Sequence, residues 1–254
     1  MEVLEGRISV EAALKAHSRR FQMIGLRDGL HDETMPELLQ EAEQQGVPIK
    51  RLRAEEIDRM ACGKTHGGVV ALCSGKREPG FDEFYERFKH VFAPCLLLLE
   101  GVDDAQNFGF TLRTAEAMGV HAVLLKKHLW DFDSNAVSRA SSGAYERMTI
   151  VMFEEVDRVL IRLKQHGLMV YGCIANAQKT IYDISLSTGV VLAIGGEKRG
   201  LSAAVRNHCH RFIKIPMASA VGSLSLGHAA AIVLAEMMRQ RTVSLPDPPS
   251  LSAQ

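Results

Sequence analysis

The chain has 254 residues, of which 46% are hydrophobic and 24% are charged. This apolar content allows one large core or two ordinary ones, and two domains are the better expectation. Lysine plus arginine balances aspartate plus glutamate at 30 residues each, so the formal net charge is zero. The balance excludes a protein that binds nucleic acid through a uniformly basic surface, and any such contact must be local.

The cysteines and the hydropathy pattern indicate in which cellular compartment the protein is found. The five cysteines are widely spaced and form no C-x-x-C pair, which predicts buried thiols rather than a zinc or redox site. The most apolar run, residues 95–99, is far shorter than the ~20 residues that span a bilayer. No targeting segment is evident at either end. We therefore expect a cytoplasmic protein that does not enter a membrane.

Residues 1–74 alternate short apolar runs with amphipathic stretches, which predicts a small α/β unit. Ser9 is expected to begin the first helix. Thr34 is followed three residues later by Glu37, a capping-box signal for the second helix. Strands are predicted at 3–4, 21–26, 49–52 and 69–72, and helices at 9–16, 34–45 and 54–60.

The polar stretch 75–80 contains Pro79 and Gly80 and separates two apolar regions, so it is the best candidate for a linker. We expect an N-terminal domain at 1–76, a linker and short helix at 77–90, a second domain at 91–243 and a disordered tail at 244–254.

Strand-like apolar runs alternate with helical stretches in the second half of the chain. This alternation predicts an α/β fold with a mostly parallel sheet covered by helices on both faces. Strands are predicted at 96–99, 122–125, 148–152, 168–173, 190–194 and 212–215, and helices at 81–90, 108–118, 156–165, 202–207 and 226–241.

Three glycine-containing clusters, at 103–115, 194–202 and 215–227, follow predicted strands. Glycine allows backbone amides to approach a ligand closely, and ligands of parallel sheets bind at the carboxyl ends of strands. The clusters therefore suit a nucleotide-like molecule. The glycines of the second cluster do not match G-x-G-x-x-G, which disfavours a nicotinamide enzyme.

Structural interpretations of the same clusters stay open from the residues alone. Asn107 can be a helix N-cap, with Arg113 at a solvent or ion-pair position. The second cluster can be an ordinary strand-to-helix turn in which Ser202 caps the helix. The third can be a buried connection that packs against a neighbouring subunit.

Taken in order, the clusters resemble the motifs of the SpoU or TrmH family of RNA 2′-O-ribose methyltransferases, whose catalytic domain carries a trefoil knot. The resemblance covers nearly the whole chain. It also includes the small-residue turn at 141–144, but Ser225 stands where the third motif usually has asparagine. The matching residues are Asn107, Gly109, Arg113, Thr114 and Ala115, then Gly195, Glu197, Gly200, Leu201 and Ser202, and then Ile215, Pro216, Met217, Ser223 and Leu224.

The N-terminal unit has a resemblance of its own. Residues 4–7 and 66–69 are similar to the RNA-binding extension of RlmB-type members, which methylate a guanosine of large-subunit ribosomal RNA and whose extension is similar to a ribosomal-protein fold. Arg7 and His66 are therefore weak RNA-binding candidates. A lone histidine is more often structural, so no base contact is assigned to His66.

The resemblance implies S-adenosylmethionine as the cofactor and no metal. It places Asn107 and Ser223 beside the reacting ribose and Glu197 near Arg113. A guanidinium is always protonated, so we expect Arg113 to bind phosphate and stabilise the developing negative oxygen rather than act as a base. The residues implied to bind the cofactor are Gly195, Gly200, Ile215, Met217 and Leu224.

The resemblance also implies ribosomal RNA as the partner and a homodimer formed through the knotted domain. The dimer is compatible with the apolar run 229–235. The hydroxyl of Ser225 has a shorter reach than an asparagine amide, so a catalytically weak member that binds RNA or assists ribosome assembly remains an alternative. A transfer RNA substrate is another, and a small-molecule methyltransferase is disfavoured by the N-terminal unit.

Overall fold

The computed structural model describes residues 1–63, 65–127, 133–218 and 223–243. The expected tail at 244–254 lies outside these residues. The described residues form two units. The first contains residues up to 78 together with 104–113 and 133–148, and the second contains the rest.

In chain order the elements are β1 (Glu2–Glu5), α1 (Arg7–Lys15), β2 (Phe21–Arg27), a 3-10 turn (Asp32–Thr34), α2 (Pro36–Gln44), β3 (Ile49–Leu52), α3 (Ala54–Met60), β4 (Val69–Cys73), α4 (Phe81–Phe88), β5 (Cys95–Glu100), α5 (Ala105–Ala117), β6 (Ala122–Lys126), α6 (Ser134–Ala140), α7 (Ala144–Arg147), β7 (Ile150–Phe153), α8 (Val156–Gln165), β8 (Met169–Cys173), β9 (Lys179–Thr180), β10 (Val190–Gly195), α9 (Ala203–Arg206), β11 (Arg211–Lys214) and α10 (Leu226–Val243).

The first unit is built on a four-stranded sheet in the order β1-β4-β2-β3. Strand β4 is antiparallel to β1 and β2, and β2 pairs with β3 in parallel. Buried side chains of α1 and α2, among them Val10, Leu14 and Leu38, pack with Leu4 and Ile24 of the sheet. Burial of this apolar face is the main force that holds the helices on the sheet. The predicted small α/β unit is confirmed.

Two predicted helix starts are wrong. Helix α1 begins at Arg7, directly after Gly6, whose φ of +87° lets the chain turn from β1 into the helix without a capping side chain. Helix α2 begins at Pro36, which suits the first helical position because that position needs no N–H. Ser9 therefore lies inside the first turn of α1, and the Thr34 hydroxyl donates to the His31 carbonyl, 2.7 Å away.

The second unit contains a seven-stranded sheet in the order β7-β6-β5-β10-β8-β11-β9, and all of its recorded pairings are parallel. One face packs on α4, α8 and α9 through residues such as Phe84, Leu163 and Val205. Helix α10 packs on β10 with a buried face that includes Val233 and Met237. The predicted parallel sheet is confirmed, whereas the two-residue strand β9 is too short for a periodicity to predict.

The cysteine prediction is only partly correct. Cys73 and Cys95 are buried, Cys173 and Cys209 are half-buried, and Cys62 is exposed; all five are free thiols. Burial raises the pKa of Cys95 and of Cys173 to about 12, so these thiols stay protonated and unreactive. Among the described residues, no helix combines the length and apolarity that a membrane crossing requires.

A buried ion pair joins α7 to the four-stranded sheet within the first unit. The side chains of Arg19 and Glu146 are 1% and 0% exposed, and Arg19 Nη2 lies 2.9 Å from Glu146 Oε1. The Ser18 hydroxyl donates to Glu146 Oε2 at 2.7 Å, and Arg19 Nη1 also bonds Glu2 and the Ser74 carbonyl. Both charges are therefore satisfied by hydrogen bonds, which offsets much of the cost of desolvating them.

We predict that Glu146→Gln lowers the free energy of unfolding by about 3–5 kcal/mol, because the Arg19 charge would be left buried without its counterion. Denaturant unfolding followed by circular dichroism measures this loss. The matched control is Glu154→Gln, whose partner Lys127 lies in an exposed pair, and it should cost under about 1 kcal/mol. Equal losses in the two variants would show that the Arg19–Glu146 pair contributes no more to the free energy of unfolding than an exposed pair does.

Candidate active site

The loops after β5 and β10 meet through glycine backbone at the carboxyl edge of the large sheet. A Cβ atom built on Gly196 would lie 2.2 Å from the Gly101 carbonyl oxygen. One built on Gly195 would lie 2.1 Å from the carbonyl carbon of Gly200. Neither position has room for a side chain, so the two loops can approach this closely only with glycine at 196, and the turn after β10 can close only with glycine at 195. Packing thus requires these two glycines of the second cluster.

Polar side chains tie the same two loops together. The carboxylate of Glu100, the last residue of β5, accepts the Ser202 backbone N–H at 2.7 Å and its hydroxyl at 2.9 Å. Lys198 Nζ lies 3.2 Å from Asp103 Oδ2. The Ser202 hydroxyl oxygen also accepts the Val205 N–H at 3.3 Å, so Ser202 caps α9 as the structural interpretation of this cluster expects. Sequence reasoning did not identify Glu100, although a carboxylate directly after a buried strand is a usable signal.

The turn after β10 leaves space for a ligand beside its last glycine. Gly200 has a φ of +61°, and a Cβ atom built on it would meet nothing within 4 Å. Glu197 in the same turn is exposed. After β11, Ile215 and Met217 are half-buried, and before α10 Leu224 is half-buried and Ser223 is exposed. The parallel strands thus present a glycine turn and accessible apolar side chains at one edge, which suits a nucleoside-like ligand.

Ser225, which replaces the expected asparagine, caps α10. Its hydroxyl oxygen accepts the His228 N–H at 3.4 Å and lies 2.5 Å from His228 Nδ1, while its carbonyl accepts the Ala229 N–H. Serine and asparagine rank alike as N-caps, so the replacement preserves the start of this helix. The Ser225 hydroxyl is therefore already hydrogen-bonded to α10, the helix that it caps.

The first motif lies on α5, and its residues up to Arg113 belong to the first unit. Asp104 begins the helix, because its carboxylate accepts the Asn107 N–H at 2.7 Å. The interpretation of Asn107 as an N-cap is therefore wrong, since the helix starts at Ala105. Gly109 packs against α6, where a Cβ atom would lie 2.8 Å from the Val137 carbonyl oxygen. The Asn107 residue is half-buried and Arg113 is exposed.

The predicted site residues thus fall into two groups, each within one unit. The second unit holds Gly195, Glu197, Gly200, Ile215, Met217, Ser223 and Leu224. The first unit holds Asn107 and Arg113 on α5. The roles that join the two groups are part of the proposal below.

Arg7 and His66, the weak RNA-binding candidates, also lie in the first unit. His66 is 7% exposed; its Nδ1 accepts the Gly68 N–H at 3.1 Å, and its Nε2 lies 3.0 Å from Asp58 Oδ1. Both ring nitrogens therefore have protein partners, which is a structural role. Arg7 is exposed and donates from Nη1 to the Thr34 carbonyl at 2.7 Å. RNA contact by either residue stays a prediction.

The fold defines an α/β protein whose parallel strands end at an edge that suits a nucleoside-like ligand. Residues 94–235 match the model of the SpoU rRNA methylase family, and residues 3–79 match that of the RNA 2′-O ribose methyltransferase substrate-binding domain. The chain belongs to the SpoU rRNA methylase family. The resemblance inferred from the three motifs and from the N-terminal unit is confirmed.

Curated relatives match along nearly the whole chain. The 23S rRNA (guanosine-2′-O-)-methyltransferase RlmB of Pseudomonas aeruginosa is 36% identical over 244 residues, which cover 95% of this chain and 97% of the relative. The RlmB protein of Escherichia coli is 30% identical over 241 residues, with 95% and 99% covered.

Solved structures share the fold. The SpoU methyltransferase AviRb from Streptomyces viridochromogenes, crystallised in complex with the cofactor AdoMet, has a TM-score of 0.78 and 22% sequence identity, with 95% of this chain and 91% of that chain covered. A crystal structure of an RNA 2′-O ribose methyltransferase has a TM-score of 0.73 and 24% identity, with 94% and 88% covered.

We predict that Gly196→Ala lowers the free energy of unfolding by about 1–3 kcal/mol, because its methyl group would overlap the Gly101 carbonyl oxygen and force the two loops apart. Thermal and denaturant unfolding measure the change. Gly80→Ala is the control: its φ is −69° and a Cβ atom there would meet nothing within 4 Å, so the cost should stay under about 1 kcal/mol. A fully stable Gly196→Ala protein would contradict the close approach.

Proposed function

We propose that this protein transfers a methyl group from S-adenosylmethionine to the ribose 2′-oxygen of a guanosine in 23S ribosomal RNA. The observation that carries the proposal is the match of both RlmB relatives, which are named for this reaction, along 95% of the chain. The AdoMet complex of AviRb, which has the same fold, supports the cofactor. The five free cysteines suit a reducing cytoplasm as the place of the reaction.

The residues after β10 and β11 fit S-adenosylmethionine. The open side of Gly200 lets backbone groups of the turn approach a ligand, and Gly195 ends β10 at the same edge. The half-buried side chains of Ile215, Met217 and Leu224 offer apolar surface to an adenine ring. When bound, the cofactor supplies an electrophilic methyl group on its sulfonium.

The side chains of this protein would prepare the ribose 2′-hydroxyl, which accepts the methyl group. A ribose hydroxyl is a poor nucleophile until its proton leaves, so an active site must orient it, let the proton pass to solvent water and stabilise the resulting negative oxygen. The guanidinium of Arg113 stays protonated and would bind the adjoining phosphate and that oxygen. Asn107 and Ser223 would orient the ribose, and the Glu197 carboxylate would hold the guanidinium. Arg113, Glu197 and Ser223 are exposed, which leaves them accessible to RNA.

A second candidate is a family member that binds RNA or assists ribosome assembly without efficient transfer. Ser225 favours it, because the hydroxyl lies against His228 and lacks the reach and the donor–acceptor pair of an asparagine amide. A transfer RNA substrate is a further alternative to ribosomal RNA. The chain retains the four residues assigned to the acceptor site, which argues against an inactive protein; they are Asn107, Arg113, Glu197 and Ser223.

We also propose that the second domain carries a trefoil knot and that the domain boundaries lie at residues 76 and 91. The seven-stranded parallel sheet and the shared fold of the SpoU structures support a knotted second domain. The ends of the two family matches, at residues 79 and 94, lie close to the proposed boundaries.

We predict that the protein methylates one guanosine of unmodified 23S ribosomal RNA and that Arg113→Ala lowers the rate at least about 100-fold, because an electrostatic contact to the reacting oxygen is lost. Labelled S-adenosylmethionine, followed by mapping of the product, measures the rate and the position. Cofactor affinity, measured by calorimetry, should be unchanged. Arg87→Ala on α4, a 71% exposed arginine, is the charge-matched control and should retain full activity.

The same assay separates the alternatives. Cofactor binding without transfer to any RNA, combined with a gain of activity in Ser225→Asn, would establish a weakened member of the family. Methylation of transfer RNA but not of 23S RNA would reassign the substrate.

We further propose that the protein is a homodimer formed through α10. One face of this helix is buried on the sheet, and yet Ile232 is 36% exposed on another, so apolar surface remains for a partner subunit. This placement supports the dimer that the family resemblance implies.

We predict a dimer in sedimentation at micromolar concentration and a shift to monomer in Ile232→Glu, because the substitution would place a charge in an apolar contact. Ile161→Glu on α8, where the isoleucine is 45% exposed, is the matched control and should stay dimeric. A monomeric wild-type protein would refute the proposal.

A further inference from the structure

A cavity of about 510 Å³ lies within the first unit, between the start of α1, the loop that precedes β4 and the turn between α6 and α7. Its walls include Arg7, Ile8 and His66 from the N-terminal part and Arg139 and Ser142 from the α6–α7 region. The volume is within the ~300–1,000 Å³ range of ligand pockets. The methyl-transfer reaction proposed above does not use this cavity.

The cavity is electrostatically positive. Arg7 and Arg139 both line it, and Glu5 is the acidic residue among its described lining. The Glu5 side chain is fully buried, and its carboxylate already accepts the Cys62 N–H at 2.5 Å and a bond from Arg139 Nη1 at 3.1 Å. Glu5 and Arg139 therefore neutralise each other, and the net positive charge of the cavity comes from Arg7. The Arg139 side chain remains 32% exposed, and the bond that Arg7 donates to the Thr34 carbonyl uses one of its five donors.

The cavity also has an apolar side. Ile8 on the first turn of α1 is 55% exposed, and Leu30 and Met35 line the same cavity, so the three side chains offer an apolar wall. Arginine donors beside an apolar wall match the two parts of a nucleotide, because arginine forks bind phosphate and apolar surface accepts an unstacked base. A purely anionic ligand would leave the apolar wall unexplained.

A second cavity of about 440 Å³ continues along α1 and shares Arg7, Ile8 and Met35 with the first. It adds Lys15, which is paired with Glu11 and Glu37 of the same lining, and Arg147 of α7. Two adjoining cavities that share Arg7 and Ile8 suit consecutive nucleotides of a chain better than a single small molecule.

We infer that the first cavity holds an unpaired nucleotide of the RNA substrate, distinct from the nucleotide that is methylated. Arg7 and Arg139 contact its phosphate, and its base lies against Ile8. The inference rests on the proposed function, since it takes RNA as the substrate. It also assigns RNA contact to the α6–α7 region, outside residues 3–79 that match the substrate-binding model.

The test compares full-length Ile8→Glu and Arg7→Ala with two matched controls from the same sheet unit, Ile49→Glu and Arg20→Ala. Ile49 is 37% exposed and Arg20 is exposed, and neither lines the cavity. The probe is a fluorescent transcript of unmodified 23S ribosomal RNA fragments, with affinity measured by anisotropy over a series of salt concentrations. Calorimetry gives cofactor affinity, and thermal unfolding reports folding.

We expect Ile8→Glu and Arg7→Ala each to weaken RNA binding about tenfold, and Arg7→Ala to reduce the slope of log affinity against log salt by about one. KM for RNA should rise while kcat at saturating RNA and cofactor affinity stay unchanged. Ultraviolet cross-linking followed by mass spectrometry should place RNA on residues 6–9 or 139–142. The two controls should bind as the wild type does.

Wild-type RNA affinity and salt dependence in both cavity variants would overturn the inference, even with methyl transfer intact, and would leave the proposed function standing. If Ile8→Glu unfolds, the affinity and salt slope of Arg7→Ala decide. A wild-type protein that binds RNA through these residues but methylates no RNA would refute the proposed function alone.

Discussion

The carboxyl edge of the large sheet depends on backbone contact between Gly101 and Gly196. Parallel strands β5 and β10 end side by side, and their loops can leave in the same direction only if no side chain stands between them. Glu100 then reaches Ser202 and ties the second loop to the first strand. The glycine turn that we propose to face the cofactor is therefore held in place by β5 and its loop, which is the preorganisation that cofactor binding and transfer chemistry both require.

The first unit is organised by buried charge rather than by apolar packing alone. Arg19 lies between α1 and β2, and Glu146 lies far along the chain in α7, yet the two form a fully buried pair. Arg139 and Glu5 form a second link between the same regions. Such pairs contribute little net stability but define which surfaces meet, because any other arrangement would leave a charge unpaired. One consequence is a cavity whose lining comes from both regions.

The position of Ser225 shows how one residue can serve structure and chemistry at once. Its hydroxyl begins α10, the helix whose buried face packs on β10. An asparagine at this position would serve the same cap, so selection for the helix start does not distinguish the two. The two residues differ in the side-chain amide, whose reach and separate donor and acceptor serine lacks. A departure from a family motif can thus preserve the fold while it changes the chemistry.

Most strands and the long helices could be predicted from the sequence, because local periodicity and uninterrupted burial are written in neighbouring residues; β5, β10 and α8 are examples. The three motifs indicated the family for a similar reason, because each motif is a short run of residues and their order can be read directly along the chain. Tertiary structure alone decided that Asp104 and not Asn107 caps α5, that α1 begins after Gly6 and α2 at Pro36, and that Arg19 meets Glu146. These outcomes depend on contacts between residues distant in sequence, or on which of several capable residues the packed chain places at a helix end, and no local pattern reports either.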